Sequence, residues 1–258
     1  MLLHAVVTNK NHRMFADMVR FAHAVGAYRV NFDYIIAYRP EQHALKLNDA
    51  ERAELPQYAQ RALDVRKEPA SVRERYGKHL WCQQTLLARR LIQAGVSFIT
   101  LDLSYHTASG TWDTHGDNIP PYGGISKGLG PLLPLFDHLV TTLVSDLDAH
   151  GLLDDCLVIA MGEFGRTPNM GTQGSTDGRN HYTSISGLTM AGGGLRHGQV
   201  IGSSERDGGH IKERPVTPGD LAATIYRHMD VPLDATYLDP RGRPRYVVEE
   251  GEPIAELF

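Results

Sequence analysis

The sequence predicts an α/β fold with a mostly parallel sheet. Strand-like runs alternate with helix-like stripes along the chain, the order expected when helices cross over a parallel sheet. One run, Cys156–Met161 (CLVIAM), is apolar on both faces, as a strand covered on both sides should be. A second run, Val96–Leu103 (VSFITLDL), reads as another buried strand.

The elements follow in order. Leu2–Val7 (LLHAVV) is a short strand. Asn11 can cap a helix whose stripe is Met14, Met18, Phe21, Ala22 and Val25, and Gly26 ends it. YRVNFDYII makes a second strand, and a helix starts near Asn48 or Asp49, with Pro56 interrupting it. Charge rises over Asp64–His79, which reads as a boundary. Beyond Pro69, Tyr76, Leu80, Leu87 and Leu91 form one helical stripe that stops at Gly95. After Val96–Leu103 comes a polar loop carrying WDTHGDN. Leu132, Leu135, Phe136, Leu139, Val140, Leu143 and Leu147 mark a long amphipathic helix ending at Gly151. GLTMAG is a further strand, and TPGDLAATIYRHM starts a helix with Thr217 as N-cap and Pro218 at N1.

Composition narrows the function classes. The chain has 258 residues, 41% of them hydrophobic, so it can bury a full core. A formal charge of -4 gives no electrostatic case for nucleic acid or an anionic membrane. No apolar run reaches bilayer-spanning length and no signal-peptide pattern opens the chain, so it reads as cytoplasmic. The two cysteines, Cys82 and Cys156, have no CxxC spacing and indicate neither a thiolate metal site nor a disulfide framework. Thirteen histidines are many for this length and fall near Gly, Asp and Asn, which favours a metal or phosphate site.

Three polar clusters interrupt the scaffold: Asp113 with His115 in WDTHGDN, Glu163 with Arg166 in GEFGRTP, and Asp177, Arg179 and His181 in TDGRNHY. Loops leaving the carboxyl ends of parallel strands share one sheet edge, where ligands bind. Two carboxylates and two imidazoles suit Zn²⁺ or Mn²⁺, and Arg166 can hold a tetrahedral oxyanion in bidentate fashion. Each residue also has a plainer role open to it. Asp113 can form a turn, His115 and His181 can be surface hydrogen-bonding groups, and Glu163 can simply pair with Arg166.

The stretches VRERYGKHLWCQQTLLARRLIQAGVSFITLDL, WDTHGDN, GLLDDCLVIAMGEFGRTP, GRNHY, HGQVIGSS, RPVTPGDLAATIYRHM and DPRGRP carry a resemblance. Over residues 68–258 the chain is similar to an uncharacterised domain-of-unknown-function family of the alkaline phosphatase/sulfatase superfamily. The resemblance implies an α/β/α sandwich, truncated at its N-terminal side, and in active members a two-metal site for phosphate or sulfate esters of small molecules or glycans. By position, Asp113 and His115 resemble the superfamily's Asp…His metal pair, Glu163 stands where an Asp-His pair is usual, and His181 resembles the late His ligand. Phe164 replaces one expected imidazole, and Asn180 stands where the family usually has Asp. No segment resembles the early strand that supplies a first metal-binding Asp and the nucleophile. The expectation is therefore metal held by Asp113, His115, Glu163 and His181, with Arg166 as the catalytic cation, or else a non-catalytic module that keeps the fold. Residues 1–66 resemble part of a radical S-adenosylmethionine enzyme barrel. Its three-cysteine motif is absent, so no iron–sulfur cluster is expected. The implied domains are 1–66 and 67–258.

Overall fold

The computed structural model describes residues 2–7, 29–34, 64–93, 96–104, 111–116, 123–172 and 174–258; for the first two stretches the description is of backbone only. The helices expected between Asn11 and Gly26 and near Asn48 lie outside these residues. The chain divides into two compact units, Met1–Trp112 with Gly130–Leu152, and Asp113–Leu129 with Leu153–Phe258.

In the first unit, strands β1 (Leu2–Val7) and β2 (Arg29–Tyr34) pair in parallel, Leu2 opposite Arg29. Both stand where the sequence places strands. The stripe beyond Pro69 forms two helices, α1 (Ala70–Tyr76) and α2 (Leu80–Gln93), where one was expected. Gly77 divides them. Its φ of 95° lies in the region that only glycine adopts without strain, so the helix cannot continue through it. The stripe still forms a core. Tyr76, Trp81, Cys82, Leu86 and Leu139 make a buried cluster, with Leu139 supplied by α3 (Ser126–Ala149). Trp112 stacks on Trp81 at 5.9 Å and donates from Nε1 to Leu103 O at 2.6 Å. Burying each large apolar side chain of this kind contributes about 1.5–3 kcal/mol.

A charged network is buried beside that cluster. Asp146 is fully buried and accepts the Tyr76 hydroxyl at 2.9 Å, and Arg75 also pairs with it. Arg89, 1% exposed, lies between Asp146 at 2.8 Å and Glu68 at 2.7 Å. Arg89 Nη1 donates to Gln93 Oε1 at 2.7 Å, while Nε and Nη2 form the ion pairs with Asp146 and Glu68. The charge-rich stretch read as a boundary thus supplies one end of this network, Glu68.

In the second unit the expected parallel arrangement is replaced. The run read as a parallel strand is β3 (Leu157–Met161). It pairs antiparallel with β6 (Leu188–Gly192), Leu157 opposite Gly192 and Met161 opposite Leu188. Its residues are half-buried and Met161 is exposed, so apolarity on both faces here does not mean cover on both faces. Inside the β3–β6 connection a smaller antiparallel ribbon forms from β4 (Gly165–Arg166) and β5 (His181–Tyr182). Two further antiparallel pairs follow, β7 (Ser203–Ser204) with β8 (Ile211–Glu213), and β9 (Thr236–Leu238) with β10 (Pro244–Tyr246). Among the described residues every sheet has two strands, and only β1–β2 is parallel. Val96–Leu103, expected as a strand, forms none, because no neighbouring strand among the described residues offers it a ladder. The coarse prediction of mixed helix and strand holds.

Helix α4 (Pro218–His228) begins as its sequence dictates. Thr217 Oγ1 accepts from Asp220 N at 3.1 Å, and the Asp220 carboxylate accepts from Thr217 N at 2.8 Å. No described helix is long and apolar enough to cross a membrane.

Candidate functional site

All five residues expected at the site belong to the second unit, and nested antiparallel pairing brings most of them together. The carboxyl end of β3 and the amino end of β6 lie at the same end of their ribbon, so the segments leaving one and entering the other are neighbours. Arg166 on β4 stands opposite His181 on β5. Around this pair two arginines lock each other's main chain. Arg166 Nη1 donates to Arg179 O at 3.2 Å, and Arg179 Nη2 donates to Arg166 O at 2.9 Å. Thr167 N donates to Asn180 O at 3.0 Å, and Thr167 Oγ1 accepts from Asn180 N at 3.0 Å.

The WDTH stretch joins this ribbon through its backbone. Arg179 N donates to Thr114 O at 2.7 Å. The approach is close enough to need glycine at 178. A Cβ there would lie 2.0 Å from His115 O and 2.6 Å from His115 C. Stretches far apart in the sequence are thereby brought into contact. The His115 and His181 rings lie 4.6 Å apart, and the Phe164 ring lies 4.3 Å from His181. The Arg166 guanidinium sits 5.7 Å from the Phe164 ring centre.

His115 is held at both nitrogens. Nδ1 meets Asp113 Oδ1 at 2.5 Å, and Nε2 meets Asn180 Oδ1 at 3.1 Å. Asp113 Oδ1 also accepts the His115 backbone N–H at 3.0 Å. Burial works to raise the Asp113 carboxyl, but these His115 bonds and the charge of Arg166 outweigh it and hold it below the usual carboxylate range. Burial lowers Arg166 from the ordinary guanidinium value. Asp113 and Glu163 oppose that shift by charge, and Arg179 adds to it. Glu163 is exposed on the turn after β3, within electrostatic reach of Arg166.

Asp113, His115, Arg166 and His181 therefore form one cluster, with Glu163 acting on it by charge. Among the described residues, however, no three His, Cys, Asp or Glu side chains gather as a metal-ligand group. Asp113 orients His115, and both His115 nitrogens face side-chain oxygens, Asp113 Oδ1 and Asn180 Oδ1. As arranged, the four expected ligands do not fit a closed metal site.

The sequence reading missed three features. Asp177, grouped with the site, holds the start of α3 instead. Its carboxylate accepts from Ser126 N and Ser126 Oγ, each at 3.0 Å, and its carbonyl accepts from Ile125 N at 2.9 Å. A carboxylate at a helix amino end is favourable there. Arg179 braces the ribbon, and Asn180 links the two histidines. An Asn between Arg and His carries no spacing signal that could have revealed this.

A family model described as "Protein of unknown function (DUF1501)" matches residues 36–258. Comparison with curated proteins gave no match, and comparison with solved structures gave none.

Proposed function

The chain belongs to the DUF1501 family of proteins of unknown function, and from that premise we propose that it is a hydrolase-like domain of the alkaline phosphatase/sulfatase type that receives the phosphate or sulfate group of a small-molecule or glycan ester. The supporting observation is the cluster of His115, His181 and Arg166, assembled from distant stretches by the Thr114–Arg179 bond and the β4–β5 ribbon. A guanidinium and two imidazoles at one place suit a tetrahedral oxyanion. Arg166 steadies the transferring group, and Asp113 orients His115 toward it. The finer fold reading, a truncated α/β/α sandwich, belongs to the same proposal and rests on the motif resemblance.

Zn²⁺ or Mn²⁺ on Asp113, His115, Glu163 and His181 would supply Lewis-acid polarisation of the ester. Those four do not form a ligand set as arranged among the described residues. The same observation favours a second reading, a binding module without turnover: the polar groups are largely committed to one another.

Hydrolysis of aryl phosphate and aryl sulfate, with and without Zn²⁺ or Mn²⁺, separates the two. For the hydrolase reading, turnover is measurable and falls in both His115→Ala and Glu163→Ala. Binding of the ester without turnover selects the module. Turnover indifferent to both substitutions removes this cluster as the site.

A further inference from the structure

The β9–β10 hairpin leaves one strand edge open, and its hydrogen-bond pattern identifies the edge. Asp239 N donates to Arg243 O at 2.9 Å, and Val247 N donates to Ala235 O at 2.9 Å. With Tyr237 opposite Arg245, these residues are the bonded positions of the ladder. Thr236 and Leu238 on β9, and Pro244 and Tyr246 on β10, therefore turn their backbone groups outward. Pro244 has no N–H, so the outer edge of β10 lacks a donor there, whereas β9 offers one at both outward positions. Among the described residues no strand pairs with the outer edge of β9. Every residue of the two strands is exposed, Leu238 at 70% and Tyr237 at 49%. A hairpin standing alone is marginal in water, and an open apolar edge is a template for another strand.

We propose that β9 is the contact of a symmetric dimer, in which the β9 strands of two copies of this chain pair antiparallel about Tyr237. The pairing is self-complementary. Thr236 faces Leu238 of the second copy and Leu238 faces its Thr236, and these are the residues whose N–H and C=O groups point outward. Tyr237 faces Tyr237 of the second copy as the closely spaced pair between them, an aromatic contact that cross-strand pairing favours. The two-fold axis also sets the tip of each hairpin beside the base of the other. The tip carries exposed Arg241, with Asp239 neutralised by Arg243, and the base carries exposed Asp234. Antiparallel alignment therefore brings unlike charges together. The resulting four-stranded sheet has β10 at both edges, where Pro244 opposes further addition. Assembly closes at two copies.

Sedimentation velocity of the full chain, across the micromolar to millimolar range, reads the assembly. The edge is 3 residues long, shorter than an interface of roughly 1,200–2,000 Å² needs, so monomer and dimer exchange and the dimer gains with concentration. Leu238→Pro removes an outward N–H that the hairpin itself does not use. It weakens dimerisation by at least about tenfold, with the thermal midpoint little changed. Arg241→Glu weakens it too, and adding Asp234→Arg restores it. Crosslinking tests the register independently. Non-bonded antiparallel positions lie about 4.5 Å apart at Cα, within the disulfide range of roughly 4.4–6.8 Å. Under oxidation Tyr237→Cys gives a covalent dimer, and Arg245→Cys, on the far strand, gives none. Where Leu238→Pro unfolds the chain, the crosslinking decides. A chain monomeric throughout the range overturns the proposal. So does a dimer that Leu238→Pro leaves intact and Tyr237→Cys fails to link, since it uses another surface, and so does growth beyond two copies.

Discussion

Replacing Asp146 with asparagine isolates the buried charge network from the rest of the fold. Asp146 is fully buried and Arg89 is 1% exposed, so neither charge has water to fall back on. The Asp146→Asn change keeps the side-chain shape but leaves Arg89 with one charged partner, Glu68 at 2.7 Å, and the neutral acceptor Gln93 Oε1. Removing one partner of a buried pair costs about 3–5 kcal/mol. The remaining Glu68 contact sets the expectation at the lower end, about 3 kcal/mol. Arg75 adds little to this, because its side chain is 45% exposed and screened. For a chain of this size about 2–4 °C accompanies each kcal/mol, so the thermal midpoint should drop by roughly 6–12 °C. Tyr76→Phe removes one hydrogen bond to the carboxylate without stranding a charge, and should cost about 1.5–3 kcal/mol. Urea melts of both variants give the comparison. A loss below about 1 kcal/mol for Asp146→Asn would refute the argument that Arg89 depends on Asp146.

Two further outcomes follow from the geometry. Gly178→Ala places a methyl against the His115 carbonyl. It should cost about 1–3 kcal/mol and push the WDTH stretch from the ribbon, abolishing nuclear Overhauser contacts between the His115 and His181 rings; retained contacts would contradict the close approach. Acid should destabilise the chain through its depressed carboxylates. Burial tends to raise Glu68, but Arg89 and Arg90 hold it low; the Thr217 and Glu252 backbone N–H groups lower Asp220; and Arg214 holds Glu256 down to about 2. A depressed carboxylate stabilises the fold above its unfolded pKa, and that contribution is lost as pH falls through the folded value. The loss should therefore begin near about pH 4 and run toward pH 2, the Glu256 value; stability that rises on acidification through this window would reverse the sign.

Local chemistry was legible in the sequence, and pairing partners were not. Thr217, Pro218 and Asp220 specify the start of α4 by contacts among near neighbours, so the sequence suffices there. The strands at Leu2–Val7, Leu157–Met161 and Leu188–Gly192 announce themselves by apolar runs. Whether β3 pairs in parallel or antiparallel depends on a strand well downstream, and apolar content is silent on direction. The candidate residues were picked by type, and Asp113, His115, Arg166 and His181 lie near one another. They meet through an antiparallel ribbon and not along a shared parallel edge. Asp177, noted in the TDGRNHY cluster, anchors the start of α3, and in sequence such a carboxylate looks like one that serves a ligand.

The most direct test of the oxyanion reading is a titration of the ¹⁵N-labelled chain with an aryl sulfate and an aryl phosphate, followed at the His115 and His181 rings, for wild type and Arg166→Leu. The cluster predicts saturable shifts at both rings in wild type and an apparent Kd weaker by at least about tenfold in Arg166→Leu, the loss of one charge-assisted bidentate contact. Rings unmoved at saturating ester, or shifts identical in the two proteins, would contradict it.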